Sequence, residues 1–138
     1  MKKIVLYAAL VLPACDAADR HDAANVLTAV GRFRTADLAG TPAAVDALQS
    51  IPCANALSCG TKDKCLVAGN QIAQGLRLKG EVEKLLPKLE DGTLAKDSLE
   101  AQTLPSRLDQ ADTSLKTGFA ALPACDESVL ALKSKYRL

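Results

Sequence analysis

Tryptophan is absent from this 138-residue chain and aromatic residues make up only 3% of it. Tyr7 lies in the first ten residues, so Phe33, Phe119 and Tyr136 are all that remain beyond them. Platforms on which bases or sugars stack are hard to build from so few rings. An excess of one charge is missing as well: 17 basic residues face 16 acidic ones, interspersed along the chain, which leaves no electrostatic footprint for nucleic acid. His21 is the only histidine, with no nucleophile or metal-ligand pattern around it. There is no Cys-x-x-Cys for redox work, no Cys-x-x-Cys-His for haem attachment and no glycine-rich phosphate loop. Alternating runs of Val, Ile, Thr and aromatics, the signature of strands, do not occur. No apolar stretch approaches the roughly 20 residues that cross a bilayer.

What is there is alanine and leucine, which dominate the apolar set and favour helix. The class is all-α. From Ala17 to about Leu38, apolar residues Ala23, Val26, Leu27, Val30, Phe33 and Ala36 recur every three or four positions and define one face of a first helix, ended by Gly40. Thr41-Pro42 reads as an N-cap followed by proline in the first turn. Ala44, Val45 and Leu48 give this second, shorter helix its apolar side, and Ile51-Pro52 stops it. Pro52 and Gly60 punctuate a connection, after which Thr61 caps a long helical pattern over about Lys62 to Leu89, with Ile72, Leu76, Leu78, Val82, Leu85 and Leu89 as its apolar residues. Asp91-Gly92 is a turn signal, and Thr93 opens the last long element, reaching about Leu122.

Within that element Ala101, Leu104, Leu108, Ala111, Leu115, Gly118 and Leu122 alternate spacings of three and four without a break. This is a heptad seam, which requires a second helix along its length. The short Asp91-Gly92 connection makes the preceding helix its antiparallel neighbour. Pro87 and Pro105 fall inside the two long patterns and predict a bend or break at each. After Pro123, Asp126 is placed to cap a short final helix carrying Val129, Leu130 and Leu132. Glycines inside the patterns, Gly69, Gly75, Gly80 and Gly118, suggest close helix approach or bending. The expected fold is an irregular up-and-down bundle built on a long antiparallel helical hairpin and stapled by two disulfides.

This topology carries the chain out from Thr61 and back by Leu122, bringing Cys125 beside Cys59 and Cys65, with Cys53 in the same neighbourhood. Zinc usually takes close pairs spaced by two to four residues, whereas these intervals are long. Structural disulfides are the reading, with Cys53–Cys59 and Cys65–Cys125 ahead of Cys53–Cys65 and Cys59–Cys125 among the three pairings open to four cysteines.

The fifth cysteine belongs to the amino terminus. Lys2 and Lys3 supply a basic start, Ile4 to Leu12 an apolar run and Ala14 a small residue before Cys15, the order of a secretory signal. Leu12, Ala14 and Cys15 match the lipobox, so residues 1–15 resemble the signal of a bacterial lipoprotein; Pro13 stands where alanine, serine or threonine is more usual. The resemblance implies that residues 1–14 are removed and Cys15 receives lipid, which leaves residues 15–138 as a single domain and an even set of four cysteines in an oxidising compartment. Without Lys2 and Lys3, 15 basic residues face 16 acidic ones, so the mature part is nearly neutral. Several acyl chains on one cysteine would anchor it to the membrane, facing the periplasm or the cell exterior. An aspartate after the lipidated cysteine, here Asp16, tends to hold such proteins at the inner membrane in enteric bacteria but not reliably in others, so the choice of membrane stays open. The alternative is an ordinary secreted protein cut after Ala14 or Ala17.

Carboxylate clusters Glu81/Glu83, Glu90/Asp91 and Asp109/Asp112 have the residue type for acid–base chemistry, but interleaving with Arg77, Lys79, Lys84 and Lys88 assigns them to charged outer faces. No catalytic, cofactor-binding or metal residue is expected, nor any cofactor. The function expected is that of a non-enzymatic, lipid-anchored helical protein of the bacterial envelope that binds an envelope protein as scaffold, adaptor or inhibitor. The alternative is a carrier of an apolar small molecule in a cavity between helices.

Overall fold

The computed structural model describes residues 13–138, which form four helices with no strand among them: α1 (Pro13–Thr35), α2 (Thr41–Ser50), α3 (Ala56–Glu90) and α4 (Leu99–Tyr136). The apolar run Ile4 to Leu12 and the lysines before it lie outside the described residues. α3 and α4 make the most extensive contact, and α1 and α2 form a layer on one side of the hairpin. The expected all-α hairpin bundle is the observed one, down to the pairing of Cys53 with Cys59 and Cys65 with Cys125.

The hairpin is held by small residues. Buried positions of α3 include Ser58, Thr61, Cys65, Ala68, Ile72, Gly75 and Val82, alternating steps of three and four over most of their length, with Gly69 and Ala73 buried beside them. Those of α4 include Leu104, Ala111, Gly118, Cys125 and Leu132, seven residues apart throughout. Such a repeat keeps one stripe of each helix facing its partner. Because Ala68, Gly75, Ala111 and Gly118 carry little or no side chain, the two backbones come close. A β-carbon on Gly75 would lie 2.7 Å from Leu115 Cγ and 2.8 Å from the Ala111 carbonyl oxygen. Further along, the Cα atoms of Cys65 and Cys125 are 4.5 Å apart. Leu108, expected in the seam, is 45% exposed, and buried Ser114 and Ser128 take places in the stripe instead.

The α1–α2 layer covers the half of the hairpin nearer the cysteines. Phe33 and Val45 pack on α3 at Gly69, whose hydrogen leaves room for Val45; a β-carbon there would be 3.0 Å from Val45 Cγ2. Ala23, Val26, Val30, Phe33, Val45 and Leu48 join Cys65, Ile72, Cys125 and Leu132 in one core. Exposed ion pairs Arg77–Asp46 and Arg34–Asp126 tie α2 to α3 and α1 to α4.

Several expected boundaries move. α1 ends at Thr35 rather than near Leu38, because the Asp37 carboxylate accepts the Gly40 N–H at 2.6 Å and its carbonyl accepts from Thr41, closing a tight turn. Gly40, not Thr41, is the N-cap of α2, and Thr41 is buried. α3 starts before Gly60 because Asn55 caps it, its side-chain oxygen accepting the Ser58 N–H at 2.8 Å; Thr61, expected as that cap, is buried in the seam and donates to the Ser128 carbonyl. Ser98, whose hydroxyl accepts the Ala101 N–H, caps α4 in place of Thr93.

α4 also runs unbroken through Pro105 and Pro123, and α3 through Pro87. All three prolines are exposed, and the buried seam residues of each helix keep it going past them. Asp126 therefore caps no separate helix; it lies inside α4 and pairs with Arg34 at 3.1 Å.

Candidate functional site

The two ends of the hairpin differ in kind, and the cysteines mark one of them. Cys53–Cys59 closes the connection between α2 and α3, and Cys65–Cys125 ties the hairpin two turns further along α3. α4 overshoots Cys125 by eleven residues, so its last turns continue past the buried bond to the start of α1. Tyr136 is half-buried there, and its phenol is pushed up by partial burial and then by the carboxylates of Asp19, Asp16 and Asp22 on α1. Cys15 is in the first turn of α1, at this same end.

Asp22 organises the junction. Its carboxylate accepts the N–H groups of Ala54 and Asn55 at 3.0 and 3.2 Å and the Asn55 side-chain amide at 2.9 Å. The same amide donates to Ser58 Oγ, so one carboxylate on α1 fixes the residue that caps α3. Lys62 reaches back to the carbonyl of Ile51 at 2.5 Å and satisfies the end of α2. These are structural roles; those of Asp22 and Lys62 escape sequence reasoning because their partners are more than ten residues away, while the local Asn55 cap is passed over in favour of Thr61.

At the opposite end the hairpin extends past the α1–α2 layer as two bare helices joined by residues 91–98. Val82, Ala101 and Leu104 are buried between them, but Leu86, Leu99 and Leu108 are 42, 78 and 45% exposed. The turn is rigidified locally: the Thr93 N–H donates to the Asp91 carboxylate at 2.8 Å and the Thr93 hydroxyl does likewise, holding the Asp91 carboxyl below its ordinary range. Midway along, Leu38 and Phe119, 69 and 55% exposed, flank a shallow groove beside Phe33 and Leu122. Leu38 also borders an open cleft of about 450 Å³ whose other walls include Pro42, Leu76 and Gly80 and the charged Arg77, Lys79, Glu83 and Lys84.

The groups with chemical potential are spread out. His21 is exposed, with its ring nitrogen against the Asn25 amide at 3.2 Å on the next turn of α1. Glu81 pairs with Arg107, Glu83 with Lys79 and Asp112 with Lys116, all on exposed faces, and the Lys116 ammonium is held charged by its Asp112 hydrogen bond. Glu90 and Asp109 are exposed as well. Among the described residues no group of three His, Cys, Asp or Glu side chains is placed to hold a metal ion. No described helix is long and apolar enough to cross a membrane. Comparison with protein-family models, curated proteins and solved structures returns no match to this chain.

Proposed function

We propose that the chain is a lipid-anchored, non-enzymatic helical protein of the bacterial envelope that presents the far end of its hairpin to another envelope protein, as a scaffold, adaptor or inhibitor. The observation that carries this reading is the separation of the two ends. Cys15 is in the first turn of α1, whose Asp16 and Asp19 act on Tyr136 at the base, while exposed Leu86, Leu99 and Leu108 lie toward the tip. A 35-residue α3 spans about 50 Å at 1.5 Å per residue, so lipid on Cys15 would set the leucines well clear of the membrane surface. Three exposed leucines at the end of a stiff support offer apolar side chains to a partner.

Packing favours this over a carrier. Gly75 and Gly118 face neighbours that fill the space a side chain would take, so the small residues close the hairpin instead of opening a chamber in it. The test is the intact mass of the protein from a bacterial membrane fraction, with Cys15→Ser as control. A chain beginning at Cys15 with added acyl mass is expected, and an unacylated soluble product would overturn the anchor. Photo-crosslinkers at positions 99 and 108 should then capture a discrete partner that one at exposed Asp126 does not; equal capture at both sites would argue against the tip.

A further inference from the structure

The two disulfides lie in unlike surroundings. Cys65 and Cys125 are both wholly buried between α3 and α4, in the core with Val26, Phe33, Leu48 and Leu132. Cys53 and Cys59 are both half-buried at the surface, in a connection of only six residues' separation. An attacking thiolate must reach a sulfur along the axis of the bond it breaks, so access decides which bond exchanges in the folded state. The two also differ in what their opening demands. Cys65–Cys125 becomes accessible only when the seam around Ala68, Ile72 and Gly118 comes apart. Around Cys53–Cys59 the chain is held by other means: Asp22 grips Ala54 and Asn55, Asn55 caps α3, and Lys62 binds Ile51.

We infer that Cys53–Cys59 is a thiol–disulfide exchange site, opened by a dithiol donor while the protein stays folded and Cys65–Cys125 stays closed. Cys59 is the fourth residue of α3, where the positive end of the helix stabilises a thiolate, which makes its sulfur the better leaving group. A donor thiolate therefore attacks Sγ of Cys53. The new sulfur–sulfur bond joins donor and Cys53 as the Cys53–Cys59 bond breaks, and its electron pair passes to Cys59. The donor's second thiolate then attacks the mixed disulfide and releases Cys53. The donor is oxidised to a disulfide, the protein gains two electrons, and the two donor protons end on Cys53 and Cys59. The α2–α3 connection thus has two covalent states on one fold, whether or not Cys15 carries lipid.

The test uses the otherwise intact mature chain with Cys15→Ser, so that only these four cysteines report. The folded protein is incubated with graded dithiothreitol, quenched with N-ethylmaleimide and mapped by peptide mass, with helical circular dichroism followed in parallel. Labelling of Cys53 and Cys59 should outpace that of Cys65 and Cys125 by about a hundredfold or more, because the buried pair waits for a sub-global opening. The dichroism should hold through the first step. A second variant, Cys53→Ser/Cys59→Ser, should unfold cooperatively and take up no label under the conditions that fully label the first pair. Equal labelling of all four cysteines, loss of helix together with the first label, or no reduction without denaturant would each overturn the proposal.

Discussion

Gly118 of α4 lies directly on Ile72 of α3: a β-carbon at Gly118 would fall 2.6 Å from Ile72 Cγ1 and 2.9 Å from the Ala68 carbonyl oxygen. The contact explains a glycine in mid-helix, which propensity alone disfavours. Gly118→Ala should destabilise the protein by about 1–3 kcal/mol despite its gain in helix propensity, because the added methyl forces two backbones apart. Gly80→Ala meets open space and should stabilise by about 0.5–1 kcal/mol. Urea midpoints moving in opposite directions would check the pair; movement in the same direction would remove the close-packing account.

The two disulfides should differ in energetic weight as they do in exposure. In the chain-entropy model the sequence separation of 60 at Cys65–Cys125 corresponds to about 4 kcal/mol and that of 6 at Cys53–Cys59 to about 2 kcal/mol. Paired serine replacements, measured by denaturant unfolding, should follow that order.

Asp22 should matter more than its partial exposure suggests. Asp22→Ala leaves two backbone N–H groups and the Asn55 amide without their acceptor, a loss of about 2 kcal/mol for hydrogen bonds to a charged group. Amide exchange at residues 54–58 should quicken before the rest of α3 responds. Uniform quickening would mean that the clamp is global in its effect.

Tyr136 predicts behaviour at alkaline pH. Partial burial and the carboxylates of Asp19, Asp16 and Asp22 favour the neutral phenol, so its folded pKa is raised above the unfolded value of about 10. Its contribution is fully present below the unfolded pKa and is lost as pH rises through the folded one. Tyr136→Phe should flatten the fall in stability above about pH 10 and change little at neutrality. An unchanged alkaline limb would reject the assignment.

The seam of α4 was legible because Leu104, Ala111, Leu115 and Gly118 repeat at heptad spacing on the chain itself. The matching stripe of α3 was not, since Ser58, Thr61 and Gly75 break the apolar pattern that periodicity reads; their burial depends on the close approach of α4. Helix starts were misplaced where two candidate caps compete: Asn55 outranks Thr61 because Asp22, thirty-three residues away, holds it. Pro87 and Pro105 break neither helix, because the rule that prolines break helices does not know which side faces water. Of the candidate site, the four disulfide cysteines could be named from their number and the hairpin topology. The exposed tip leucines could not, because nothing along the chain tells where the α1–α2 layer stops.

The unbroken passage of α4 through Pro123 brings Tyr136 alongside the start of α1, so both ends of the folded domain meet at one pole. The backbone can therefore be rejoined there by a short linker and cut anew in the exposed turn at residues 91–98, giving a circular permutant whose ends emerge at the tip. In such a molecule α3 and α4 become the terminal segments, tied directly by Cys65–Cys125 and no longer by the turn at residues 91–98. The two helices would then be joined through the new linker, α1 and α2, so that Cys65–Cys125 closes a covalent ring running through the pole of the termini instead of through the tip.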